Sequence, residues 1–228
     1  MKVIWLGQAG FLLEQKGKRI LIDPYLSDSC ALSNPNSYRR TPIDDAYLKI
    51  RPDVILLTHE HKDHMDMQTL SHYLPGNGGV LVLAAANAWD KVRTLGGDNN
   101  YVMFRPGTQW SWEGITFTAV PAEHSDRESI GVVVDDGKRK YYITGDTLYN
   151  ERIFSHLPGD LYAVFLPING RGNNMNPEDA GQFAERTGAI YSVPIHFGMF
   201  DSVDPAVFSA KNSVIPRAYA PVFEEDKE

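Results

Sequence analysis

Three histidines and an aspartate fall within the six residues His59–His64, in the pattern His-x-His-x-Asp-His. Neutral imidazole is the commonest metal ligand, and several imidazoles with a carboxylate suit zinc, manganese or iron. Four of these six positions are ligand types, and three of the chain's seven histidines sit here, which sets the cluster apart from an ordinary polar loop. It follows directly on Asp53-Val-Ile-Leu-Leu, an apolar run that reads as a buried strand. A strand that opens into such a cluster points to a metal site.

Further ligand types recur in the same setting. His124 lies in Val120-Pro-Ala-Glu-His, after the alternating Ile115-Thr-Phe-Thr-Ala-Val; Asp146 lies in Thr144-Gly-Asp-Thr, after Lys140-Tyr-Tyr-Ile; His196 lies in Val193-Pro-Ile-His-Phe, after Ala189-Ile-Tyr-Ser-Val. Each is expected at the end of a strand, beside a Gly or Pro. A sheet whose strand ends converge on one edge could gather these groups, making five of the seven histidines ligands. His72 and His156 read as surface or packing residues.

This set resembles the metallo-β-lactamase fold superfamily over nearly the whole chain. The superfamily has five metal-binding segments in fixed order. Asp23 in Leu21-Ile-Asp-Pro matches the first, the His59–His64 cluster the second, His124 the third, Asp146 the fourth and His196 the fifth. Gly7-Gln-Ala-Gly-Phe, Asp23-Pro-Tyr, Thr144-Gly-Asp-Thr, Pro167-Ile-Asn-Gly-Arg and Pro194-Ile-His-Phe-Gly-Met-Phe narrow the resemblance to the L-ascorbate-6-phosphate lactonase-like branch. That branch carries a Pro-Arg-Gly run where this chain has Gly170-Arg171-Gly172, a loose match.

The resemblance implies an α+β fold, the four-layer αβ/βα sandwich, and two divalent cations, Zn2+ or Mn2+. His59, His61 and His124 would bind one cation, Asp63, His64 and His196 the other, with Asp146 bridging both. Asp63 is the expected catalytic residue, orienting the nucleophile or moving a proton. Asp23 would hydrogen-bond a ligand imidazole and fix its tautomer, although an Asp-Pro turn is the alternative. Flavodiiron proteins on this fold usually carry glutamate where this chain has His61, and add a flavin domain. The nucleases add an inserted domain for which 228 residues leave no space. Hydrolysis of a small-molecule ester, lactone or phosphoester remains, a sugar-phosphate lactone among the options. A regulatory module that keeps metal without turnover is the alternative, and the complete ligand set with Asp63 present favours the enzyme.

Arg171 and its neighbours Asn173 and Asn174 are candidate substrate contacts. The Gly/Asn-rich loop leaves backbone N–H groups free, and a guanidinium there can grip an anion with two parallel bonds. An exposed turn arginine is the competing reading. Tyr38-Arg39-Arg40 could bring charge to a pocket mouth, or be plain surface loop.

Composition is that of a soluble globular domain, with 43% apolar and 22% charged residues. The expectation is one domain over residues 1–228. A net charge of −7 disfavours general nucleic-acid binding, and no apolar run approaches the ~20 residues of a membrane span. The expected partner is a small, anionic or phosphorylated substrate; a homo-oligomer is compatible with the sequence. A single cysteine, Cys30, excludes an internal disulfide; with no basic-then-apolar leader at Met1, a cytoplasmic location is expected.

Strands are predicted at residues 2–6, 11–15, 19–22, 54–57, 80–83, 101–104, 109–112, 115–120, 130–134, 141–144, 163–166 and 189–193, the last clear one. Helices are predicted over 44–49, 67–74, 86–95, 150–156 and 178–187, the last opened by Asn176 or Pro177 and stopped by Gly188. Residues 26–41 read as loop, and the charged tail 224–228 as a solvated end. Periodicity alone argues only for mixed, layered α and β.

Overall fold

The computed structural model of the protein describes residues 1–224; the tail beyond Glu224 lies outside the described residues. The chain divides into two compact units. Among the described residues, the first comprises 1–103, 198–200 and 216–224, the second 104–197 and 201–215.

The first unit opens with three antiparallel strands, β1 (Lys2–Gly7), β2 (Gly10–Gln15) and β3 (Lys18–Ile22). Then β4 (Val54–Leu57) pairs in parallel with β3, and β5 (Leu81–Ala85) in parallel with β4. With β6 (Asn100–Phe104) and β13 (Pro221–Phe223) they form a seven-stranded sheet in the order β13-β1-β2-β3-β4-β5-β6. The continuous apolar run of β4 is buried along its length, as a central parallel strand requires. Ile4, Leu12, Leu21, Ile55 and Val82 share a core with Leu70 and Tyr73.

The second unit is built on a six-stranded sheet in the order β12-β11-β10-β9-β8-β7. Its strands are β7 (Gln109–Trp112), β8 (Ile115–Pro121), β9 (Ile130–Asp135), β10 (Lys140–Ile143), β11 (Leu161–Pro167) and β12 (Tyr191–Ile195). Strands β7 to β10 are antiparallel; β10, β11 and β12 run parallel. Helix α5 (Pro177–Thr187) buries Ala180, Phe183 and Ala184 in a core with Tyr142, Val164 and Leu166. Its ends match their sequence signals. The Asn176 side chain accepts from the Asp179 N–H, Pro177 starts the helix, and Gly188 takes the left-handed stop at φ 70°.

Five regions differ from expectation. The loop 26–41 contains a short helix α1 (Ser29–Ser33). The helix expected over 67–74 is two, α2 (Met67–Leu70) and α3 (Leu74–Asn77). Pro75 has no N–H to continue the first ladder and begins the next turn instead. Residues 44–49 and 150–156 hold 3-10 turns, at Tyr47–Lys49 and Glu151–His156. The last strand is β13, whose three residues pair with Val3 and Ile4 of β1. Between β5 and β6, α4 (Ala86–Val92) lies where a helix was expected. No helix among the described residues is long and apolar enough to cross a membrane.

Candidate metal centre

In the first unit β1, β3 and β4 run in one direction, so Gln8, Asp23 and the His59–His64 segment all leave the same sheet edge. The Asp23 N–H donates to Leu56 O at 3.0 Å, holding the two strand exits side by side. Asp23 is fully buried and sits at φ 43°, a region that non-glycine residues seldom occupy. Its Oδ1 accepts the Thr58 N–H at 2.8 Å; its Oδ2 accepts both the Thr58 hydroxyl and, at 2.8 Å, Nδ1 of His64.

Thr58 extends this network. Its hydroxyl gives its proton to Asp23 and stands 3.1 Å from Nδ1 of His59, from which it can accept. One buried carboxylate thereby sets the tautomer of two imidazoles, His64 directly and His59 through Thr58. In both rings Nε2 is left to act as a ligand atom. His59 Nε2 faces His61 Nδ1 at 3.0 Å. Ligand atoms of Asp23, His59 and His64 all lie within 4.8 Å of one another. Asp63 Oδ2 lies 3.8 Å from His64 Nε2 and accepts from the Gln8 amide at 2.8 Å.

In the second unit β8, β10, β11 and β12 share a direction, and His124, Asp146, the 169–176 loop and His196 leave at their C-terminal ends. Asp146 is the hub. Its Oδ1 lies 3.3 Å from His196 Nε2, and its Oδ2 lies 3.8 Å from His124 Nε2. Asn174, buried, donates its amide to Asp146 Oδ2 at 2.9 Å, and the Asn173 carbonyl lies 3.2 Å from His124 Nδ1. The loop that carries Arg171 is thus anchored on both His124 and Asp146. Arg171 itself is exposed. His196, directly after β12, takes φ 57°, so strained backbone recurs at a strand end of this unit too.

The donor sets fit divalent cations. Ligands about 2.1 Å from a tetrahedral zinc stand roughly 3.4 Å apart. The His196–Asp146 separation of 3.3 Å is close to that spacing, and the His59–His61 separation of 3.0 Å is somewhat shorter. The second nitrogens of His59, His64 and His124 meet oxygen partners, an arrangement typical of metal-binding imidazoles.

Residues outside these sets have other work. His72 and His156 are exposed. The Arg39 guanidinium donates to the carbonyls of Tyr25, Leu6 and Thr41 and to the Tyr219 hydroxyl, so it ties the first unit together. Burial raises the Cys30 thiol to about 11, which makes it a poor nucleophile. Sequence reasoning did not single out Gln8 or Thr58, although Gln8 sits in one of the motifs that carried the resemblance.

A family model described as a Beta-lactamase superfamily domain matches residues 18–197. Fold and ligand sets therefore define an α+β protein of the metallo-β-lactamase fold, as expected. Among relatives, a UPF0173 metal-dependent hydrolase of Thermoplasma acidophilum is 31% identical, covering 92% of this chain and 90% of that protein. A UPF0173 metal-dependent hydrolase of Deinococcus radiodurans is 30% identical over 91% and 90% of the two chains. Among solved structures, Igni18, a metallo hydrolase from Ignicoccus hospitalis, superposes with a TM-score of 0.77 at 20% identity, with 99% of each chain covered. The chain belongs to the metallo-β-lactamase superfamily and, within it, to the UPF0173 family of metal-dependent hydrolases.

Proposed function

We propose that the protein is a two-metal hydrolase of a small-molecule ester, lactone or phosphoester, with lactonase-like specificity for a sugar lactone or its phosphate. His59, His61 and His124 would hold one cation, Asp63, His64 and His196 the other, and Asp146 both. The observation that carries this reading is the Asp23–Thr58–His64 network, which prepares imidazoles as neutral ligands at a buried strand edge. Zn2+ and Mn2+ both suit such donors. When bound, the cations supply a water of lowered pKa and a Lewis acid for the scissile carbonyl or phosphoryl oxygen.

The remaining work falls to the chain. Asp63 orients the attacking water and accepts its proton, which then passes to the leaving alkoxide. Asp23 holds its proton contact to His64 throughout, so that the imidazole cannot turn. Asn174 fixes one oxygen of Asp146. Arg171 binds a substrate phosphate, and Asn173 and Asn174 of the same loop contact the substrate. We further propose that the protein works in the cytoplasm on an anionic substrate, with neither nucleic acid nor membrane as partner, as a single domain compatible with a homo-oligomer.

The experiment is metal analysis of the purified protein, then a hydrolysis screen over sugar lactones, their phosphates and generic phosphodiesters. Chelation should abolish turnover, and Zn2+ or Mn2+ should restore it. Asp146→Ala should lower binding of both cations and remove activity. Metal binding at full stoichiometry without hydrolysis of any of these classes would instead indicate a metal-keeping module. Arg171→Ala should slow a phosphorylated lactone by about 10- to 150-fold, as loss of a charge-assisted pair does. It should spare the unphosphorylated analogue. An equal loss on both would show that Arg171 is not the phosphate clamp.

A further inference from the structure

Gln8 lies in the two-residue turn between β1 and β2, where Gly7 pairs with Gly10. Such turns favour Gly, Asn or Asp, because one or both central residues take positive φ. Here the position at φ 51° is a glutamine, a poor choice for the turn itself. The surroundings hold it there. Gly7 enters the turn at φ 88°, and the Trp5 indole donates to the Gln8 carbonyl at 3.0 Å. The side chain is 1% exposed and reaches 55 positions along the sequence to donate its amide to Asp63 Oδ2 at 2.8 Å. Only the N–H end of an amide can face a carboxylate, so chemistry fixes the orientation of the Gln8 side chain.

From this geometry we infer that Gln8 is a positioning residue: its amide locks the rotation of the Asp63 carboxylate and sets which oxygen that residue presents. The inference rests on the role proposed above for Asp63. A strained backbone that surrounding contacts over-determine is a mark of functional placement. A bare structural need at this turn would be met at lower cost by Asn or Gly, neither of which reaches Asp63. Glutamine has the length, the donor and no charge, so it orients the carboxylate without neutralising it as lysine or arginine would.

The test has a spectroscopic arm and a kinetic arm. In the metal-free protein, the side-chain amide resonances of Gln8 should be displaced from those of exposed glutamines and exchange slowly, and Asp63→Ala should abolish both signatures. In zinc-replete protein, Gln8→Met keeps the length and removes the donor. It should lower kcat on a metal-dependent phosphodiester or lactone probe by about 10- to 100-fold, the range typical of groups that orient metal ligands, with KM changed less than twofold. If Gln8→Met does not fold, Gln8→Asn replaces it, since asparagine suits the turn but is shorter by one methylene. Zinc affinity, from competition with a chelator, should fall in parallel with kcat. An unchanged Gln8 amide signal in Asp63→Ala would overturn the link. So would wild-type kcat and zinc affinity in Gln8→Met beside an inactive Asp63→Asn. If Asp63→Asn itself keeps full turnover, the reading of Asp63 is what fails, and the amide spectrum still decides whether the two side chains are coupled.

Discussion

The carboxylate of Asp23 accepts a hydrogen bond from Nδ1 of His64 at 2.8 Å, and neither side chain has exposed surface. A buried carboxylate is stable only when its oxygens are satisfied, and here Thr58 supplies two further donors. The arrangement costs desolvation and backbone strain at Asp23, and what it yields is an imidazole whose proton can sit only on Nδ1. Asp23→Asn tests this directly, because it keeps volume and turn geometry but offers the His64 proton a weaker acceptor. Zinc affinity should fall about 10- to 100-fold while the protein remains folded. Competition with a chelator, alongside a thermal melt, measures both. Unchanged affinity in a folded Asp23→Asn would remove this residue from the metal chemistry.

Thr58 is predicted to matter through its hydroxyl rather than its shape. Thr58→Val retains the branched outline and removes the bond to Asp23 and the contact to His59 Nδ1. The buried groups left with one partner fewer should cost about 1–3 kcal/mol of stability, read from urea midpoints. Metal affinity should fall as well. Thr58→Ser, which restores the hydroxyl, should recover most of both losses. A loss in Ser with none in Val would mean that the methyl packing is what counts.

Part of this arrangement is legible in the sequence, for a physical reason. A cation demands particular donor atoms within a few ångströms, so residues such as His59, His61 and His64 must occur close together and be of few types. Long apolar or alternating runs, such as Val54–Leu57 and Ile115–Pro121, declare strands for the same kind of reason, since the sheet dictates burial and period. Gln8 and Thr58 carry no such mark. Glutamine and threonine are common, and their roles exist only once β1, β3 and β4 bring separate turns to one edge. Likewise β13 pairs by backbone over three residues, too few for any periodicity to show. The Gly/Asn-rich loop suggests substrate contacts at Asn173 and Asn174 but does not show what else these residues touch. The fold has them touch His124 and Asp146, through a backbone carbonyl and a side-chain amide that sequence cannot tell apart.

Gly181 sets two effects against each other. It lies inside α5, where replacing glycine by alanine ordinarily gains up to about 1 kcal/mol. A Cβ there would stand 2.5 Å from the Ser209 carbonyl oxygen, a backbone atom that cannot swing aside. Overpacking of this kind costs about 1–3 kcal/mol, so the clash should win and Gly181→Ala should lower the denaturation midpoint. Gly159, whose Cβ would meet nothing within 4 Å, is the control, and Gly159→Ala should be near neutral. A Gly181→Ala protein more stable than wild type would show that the 201–215 segment yields easily.

The last prediction concerns alkaline pH. Burial raises the Tyr141 hydroxyl from 10.0 to about 12, and burial drives Tyr142 and Tyr73 further in the same direction. A phenol with a raised value in the fold holds its proton there after the unfolded chain has lost it. Stability from this source is therefore complete below pH 10 and drains away as pH climbs from 10 toward 12. Each such tyrosine adds up to about 1.4 kcal/mol per pH unit to the decline while its native form stays protonated. Absorbance at 295 nm and far-UV circular dichroism, followed together from pH 8 to 12.5, provide the test. The buried tyrosines should ionise only as the circular dichroism signal collapses. Ionisation of all eleven tyrosines near pH 10 in a protein that keeps its secondary structure would contradict the burial that raises them.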